Sequence, residues 1–329
     1  PDNMHALAEI LTVIERQGNQ LPKPTQDRIG SSLKHALNLA MNRKNDPKIR
    51  LMAIQLASRN DQHSERLLDL LSVTEPADIQ IAATQAITTK APDKILDRFS
   101  SLSPSVRDAA IESLLLRKST TNDLILAVTD QTIPSSALSP IHRQRLTNHV
   151  DKDVQAKARK LFESATPNHV RDELINKYLE SMTVGGDAAT GKQVFVKHCA
   201  ACHHLNGIGH KVGPDLATLK NRSVNALVTA IIDPGAAVEN KYVSYSVLTY
   251  DGVVHAGIVA GETSTAIEIK SADGKSTTIV RNDIERIHSS GKSLMPEGME
   301  KDINPEQLSD LIAFLNSGFK HPSSQRGNN

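Results

Sequence analysis

The chain has 329 residues, with 38 basic against 37 acidic side chains and a net charge of +1, so it is long enough for two cores and has no surplus of either sign. That balance excludes a broad footprint for nucleic acid or for an anionic membrane surface. Two cysteines are too few for a disulfide framework, and no apolar stretch reaches the length that crosses a bilayer.

The first 183 residues have no Cys or Trp, and Ala, Leu and Ile recur there at helical spacing between turns marked by Pro or Asp. Four openings are alike: Asp46-Pro47-Lys48-Ile49-Arg50, Glu75-Pro76-Ala77-Asp78-Ile79-Gln80, Ser103-Pro104-Ser105-Val106-Arg107 and Asp151-Lys152-Asp153-Val154-Gln155. Each leads into a helix whose apolar stripe needs a neighbour, and stacked helix pairs would supply one. The pattern resembles short HEAT-type repeats, which implies an α-solenoid over residues 1–183; a non-repetitive helical bundle is the alternative. His35, His63, His142 and His149 are read as surface side chains, and the run from Lys152 to Lys160 as a solvated helix face.

Gly185-Gly186 marks a junction, and a second domain is placed over 184–329. It opens on a predicted short helix ending at His198, with an acid near its start and bases near its end. Cys199-Ala200-Ala201-Cys202-His203 follows and uses both cysteines of the chain. Two thiols at this spacing meet the two vinyl groups of one porphyrin, and the adjacent imidazole meets its iron, so the run is the attachment signature of a c-type haem. The rivals are a thioredoxin-like redox pair, which lacks its βαβ context here, and a zinc site completed by His204 and His210, whose spacing matches no common finger. Haem attachment of this kind is completed outside the cytoplasm, so a periplasmic or otherwise exported location is expected. The start at Pro1-Asp2-Asn3, already in helical sequence, is read as a mature form or an excised fragment.

Downstream, Gly213-Pro214-Asp215-Leu216 gives a rigid extended turn, and Ile231-Ile232-Asp233-Pro234 ends a helix. Residues 241–289 change character. Strands are predicted at Tyr242–Tyr250, Val253–Ala260, Thr265–Lys270 and Ser276–Arg281, with Asp251-Gly252 as a hairpin turn. This insertion is expected to be a small antiparallel barrel or curled sheet that shields one side of the porphyrin and offers a docking surface. Ser289-Ser290-Gly291-Lys292-Ser293 reads as a polar loop before Leu294-Met295-Pro296, and a capped amphipathic helix begins at Asn304-Pro305.

From these motifs, residues 184–320 resemble a class I cytochrome c, and with the β insertion they resemble the haem-binding domain widespread in Planctomycetes and Verrucomicrobia. The resemblance implies a mainly α protein in which Gly191, Phe195 and Phe314 let the first and last helices of the haem domain cross closely. It implies one covalent haem c on Cys199 and Cys202, with His203 as proximal iron ligand, the Pro214 carbonyl accepting the proximal imidazole proton, and Met295 as distal ligand. Met299, His210, His255 and His288 are the alternatives to Met295. Arg222 and Tyr242, with Tyr245 beside it, are candidate propionate contacts. A His and Met pair leaves iron no position for substrate, so the expectation is a periplasmic monohaem electron carrier without catalytic residues of its own. It would work between a redox partner, a dehydrogenase, and a downstream carrier such as another cytochrome, with the repeats as docking scaffold. The other readings are a haem enzyme or small-ligand binder with an open distal site, or the haem-bearing tail of a larger dehydrogenase.

Overall fold

The computed structural model describes residues 2–17, 21–164, 169–182, 185–235 and 238–317. The chain divides into two compact units. One comprises Pro1–Ser164, Glu239–Ile269 and Ser276–Gly291; the other comprises Ala165–Val238, Lys270–Lys275 and Lys292–Asn329.

In the first unit the four similar openings each start a helix: Pro47–Ala57, Ala77–Thr88, Pro104–Leu114 and Lys152–Ser164. Asp46 accepts from the Lys48 backbone N–H, and Asp151 accepts from those of Asp153 and Val154, so donors left over at the helix start are satisfied. The first three of these helices pack in succession. Ile79, Val106 and Val154 are fully buried, whereas Ile49 is half-buried.

The residue after each of these apolar positions does the same job at all four sites. Arg50 Nε donates to Ala40 O at 2.8 Å, Gln80 Nε2 to Glu75 O at 2.8 Å, Arg107 Nε to Phe99 O at 2.8 Å, and Gln155 Nε2 to Thr147 O at 3.1 Å. Each ties its helix to a carbonyl that precedes it, and those of Ala40 and Thr147 lie at helix ends, where such groups are otherwise left over. Arg50 also reaches Glu75 at 2.8 Å, both side chains being nearly sealed from solvent. Two histidines read as surface residues are buried instead. His63 Nδ1 lies 3.0 Å from Ala57 O, and His142 closes a capping box with Ser139 while its Nε2 meets Glu112 at 2.9 Å. Each sits at a helix start or turn, where the ring completes backbone pairing that a water would otherwise supply.

Five strands form one sheet: β1 (Val243–Thr249), β2 (Val254–Glu262), β3 (Ala266–Lys270), β4 (Ser276–Val280) and β5 (Ile284–Ser293). Their order is β4-β3-β2-β1-β5, an open meander whose last strand returns beside β1. Val243, Tyr245, Val247 and Thr249 bury one face of β1, and β1 pairs antiparallel with β2, Ser246 opposite Ala256. The segment Ser289–Ser293, read from sequence as a loop, is the end of β5. Its polar composition hides the strand, while buried Ile287 and Ser289, two apart, mark its inner side.

Most of the sheet belongs with the helices of the first unit rather than with the haem motif. The reason is a set of buried polar ties. Glu262 on β2 accepts from Ser103 Oγ at 2.5 Å, from the Ser105 N–H at 3.2 Å and from Arg281, which is 2% exposed and also donates to Val73 O. Arg107 donates to Ser289 Oγ at 2.7 Å and lies over the rings of Phe99 and Tyr245, 4.5 and 5.5 Å from their centroids. The tip between β3 and β4, Lys270–Lys275, and the last two residues of β5, Lys292 and Ser293, fall in the other unit.

The second unit is built on helices His169–Ser181, Ala188–His198, Val224–Ile232 and Pro305–Asn316. Asp187 caps the second of these through the Ala189 and Thr190 N–H groups, and an Asn304 and Gln307 capping box opens the last. Those two helices touch at Gly191, where an added Cβ would lie 1.9 Å from Asp310 O. Only a residue without a side chain permits that approach. Phe195 and Phe314 pack beside the crossing with ring centroids 5.4 Å apart. The helix His169–Ser181, assigned from sequence to the repeats, contributes Ile175 and Tyr178 to this core together with Val194, Leu227 and Leu311.

Candidate haem-attachment site

The helix Ala188–His198 stops at Cys199, whose N–H still donates to Phe195 O at 2.8 Å, and the chain turns at once. Cys202 and His203 both donate their backbone N–H to Cys199 O, at 3.1 and 2.8 Å. This single tight turn brings the two thiols near enough to interact and sets His203 directly after them. The returning strand of backbone fixes it further, since Val212 and Gly213 donate to Cys202 O at 3.0 and 2.8 Å and His210 donates to Ala200 O at 3.0 Å.

Two glycines make room. Gly209 has φ +87°, and a Cβ there would meet His203 O at 2.1 Å; at Gly213 a Cβ would meet the His203 ring carbon Cε1 at 2.7 Å. Sequence reasoning singled out neither residue for this role. The signal that was available is the glycine in the Ile208-Gly209-His210 turn and the one preceding Pro214.

His203 Nδ1 lies 2.9 Å from Pro214 O. A carbonyl only accepts, so Nδ1 carries the proton and Nε2 keeps its lone pair for a metal. Burial lowers the pKa of His203, with the Pro214 bond opposing, and the ring is thereby held in its neutral, ligating form. The thiols respond to the same surroundings. Burial, then the neighbouring Cys202, pushes Cys199 up to about 12, and burial raises Cys202 as well. Neither thiol forms a disulfide. Among the described residues no three of His, Cys, Asp and Glu converge as a metal-binding group, which leaves the zinc alternative without its geometry.

The hairpin tip reaches this turn. Cys202 Sγ lies 3.6 Å from Ala272 O, Lys270 Nζ donates to Lys211 O at 2.7 Å, and Gly274 sits against the His210 ring. Of the insertion, Lys270–Lys275 belong to the same unit as the haem motif, while Arg107, Arg281 and Glu262 hold the sheet within the first unit.

The other sequence-selected residues fall as follows. Met295 is half-buried against the apolar core of the haem-motif unit, its N–H donating to Ser293 Oγ at 3.1 Å, and it lines a cavity of about 250 Å³ with Gly235, Lys292, Ser293, Pro296 and Glu297. Met299 is 9% exposed and committed to that core beside Ile303. His255 and His288 lie on β2 and β5 in the first unit, and His210 is exposed. Arg222, the candidate propionate contact, is engaged with backbone. Its guanidinium donates to Leu315 O at 2.6 Å and to Leu216 O, pairing carbonyls at the end of the last helix and in the turn after Pro214. Tyr242 belongs to the first unit, where Lys241 Nζ sits 5.0 Å from its ring centroid, and Tyr245 is buried under Arg107.

The residues present fit a covalently held haem: two unoxidised thiols, a neutral imidazole with a defined tautomer, and an apolar core that takes in Leu205, with Cys199, Ile208 and Leu216 packed against it. The comparisons agree. A protein described as "Cytochrome c" from Nigella damascena is 38% identical over 68 residues, which is 20% of this chain and 60% of that protein, so the chain spans less than two thirds of the relative's length. The family model for cytochrome c matches residues 188–245, and this C-terminal cytochrome c segment, following a large helical region, carries one haem c on Cys199 and Cys202.

Proposed function

We propose that the protein is an exported monohaem electron carrier in which His203 and Met295 are the two iron ligands and the helical region, HEAT-like in its recurrent openings, docks a redox partner. The observation that carries this reading is the His203 Nδ1–H bond to Pro214 O, which orients a neutral imidazole directly after two thiols at haem spacing. When bound, the haem supplies a one-electron couple between ferric and ferrous iron.

The chain's own residues hold, orient and insulate. Cys199 and Cys202 retain the group covalently, Pro214 enriches the ligating nitrogen by accepting its partner's proton, and the apolar core excludes water, which lowers the reorganisation that accompanies a change of charge. Met295 is favoured over His255 and His288 because it belongs to the same compact unit as His203, and over Met299 because Met299 already fills the core. The partners implied are a dehydrogenase as donor and another carrier as acceptor.

Absorption spectra test the assignment. A sulfur-to-iron charge-transfer band at the red edge of the oxidised spectrum is expected in the wild type and in Met299→Ala, and lost in Met295→Ala. A high-spin wild-type protein that binds cyanide readily would instead support the open-site reading. A purified, matured chain without covalent haem would end both.

A further inference from the structure

We infer that Arg171 is a positioning residue for Met295, clamping from outside the family-matched segment the loop that delivers the distal sulfur. The inference rests on Met295 being the ligand. On the helix His169–Ser181, residues 171, 175 and 178 share one face at spacings of four and three. Ile175 and Tyr178 are each 6% exposed and seat that face in the core.

Both polar ends of the face grip the stretch after Met295. Arg171 Nη2 lies 3.3 Å from Glu297 Oε2, and Nη1 lies 3.3 Å from Glu300 Oε2 and 2.9 Å from Ile232 O, a carbonyl at the end of the helix Val224–Ile232. The Tyr178 hydroxyl lies 2.9 Å from Glu300 O and 2.8 Å from Ile303 O, sharing its proton between them. Positions 297, 300 and 303 are therefore pinned by one helix. The planar fork of Arg171 joins three acceptors that no single point charge reaches together.

Arg171 and Glu300 are 16% and 18% exposed, so solvent screens that pair far less than it screens Lys292, which is 74% exposed and 3.9 Å from the other oxygen of the half-exposed Glu297. A thioether bonds ferric iron weakly, and its retention depends on how rarely the loop opens. Charge-assisted hydrogen bonds of this kind shift such an equilibrium by about tenfold.

Ligand exchange on the haem-loaded, full-length chain provides the test, read as the affinity of ferric protein for imidazole together with the charge-transfer band at fixed pH. In Arg171→Gln, with haem content unchanged, imidazole affinity rises about tenfold and the band weakens. Arg171→Lys falls between the two, and Lys292→Gln stays within about threefold of wild type. Tyr178→Phe, which removes only the hydroxyl, moves in the same direction as Arg171→Gln and carries the test should that variant fail to accumulate. Unchanged imidazole affinity in Arg171→Gln and Tyr178→Phe overturns the inference. A Met295→Ala variant that keeps the band and the wild-type imidazole affinity overturns the ligand assignment instead, so the two failures are distinct.

Discussion

Replacing Gly191 by alanine sets two local effects against each other, and the structure decides the sign. In an isolated helix the change favours folding by about 1 kcal/mol, because glycine loses more backbone freedom. Here the new Cβ would stand 1.9 Å from Asp310 O and 2.4 Å from Asp310 C, where ordinary contact begins near 3.4 Å, so the two helices must part by about 1.5 Å. The obstacle is backbone on both sides and no rotamer relieves it. Overpacking of this kind costs about 3 kcal/mol, the upper end of the usual range, and the separation also loosens Phe195 from Phe314. The net expectation is a loss of about 2 kcal/mol, or about 4–8 °C in thermal midpoint, followed through haem absorbance and circular dichroism together. Gly30 is the control. It lies inside the helix Lys23–Met41 with nothing within 4 Å of an added Cβ, so Gly30→Ala should be neutral or stabilising. If Gly191→Ala is as stable as the wild type, the close crossing described above does not exist.

Two further outcomes follow from the helical unit. Arg50→Met strips Glu75 of its buried partner while leaving Arg43 Nε at 2.5 Å, so chemical unfolding should show a loss of about 3 kcal/mol, the low end for a broken buried pair; a change below 1 kcal/mol would mean the pair is not sealed. Glu112 is held below the usual carboxylate range by its hydrogen bond from Arg145, with a further one from His142, against a desolvation effect that opposes them. Its unfolded form therefore takes up protons first as pH falls below about 4.5, and the stability it confers above that value is lost as pH drops through the folded pKa. The effect is under about 1 kcal/mol because half of the side chain is exposed, and Glu112→Gln should flatten the fall of thermal midpoint between pH 5 and 3.

The attachment turn was legible in sequence because its chemistry is local: Cys199, Cys202 and His203 lie within one turn of chain, and Pro214 follows close behind. Gly191, Phe195 and Phe314 were legible only through the family resemblance, since their contact spans more than a hundred residues. The backbone partners of Arg222 could not be read from sequence, since the carbonyls of Leu216 and Leu315 come to it from segments 6 and 93 residues away. The allegiance of the sheet could not be read at all. Glu262 is one acid among 37, and nothing adjacent to it announces Ser103, more than 150 residues earlier. The helix His169–Ser181 was assigned by its composition, which matches the repeats, while its packing follows the face bearing Ile175 and Tyr178.

The depth of Cys199 has a bearing on how the protein is made. Burial, then the neighbouring Cys202, pushes this thiol up to about 12, so the folded chain favours its protonated form in neutral solution. The same sulfur in an extended chain ionises lower and is open on every side. Attachment to the extended chain therefore meets a more readily ionised sulfur than attachment after folding.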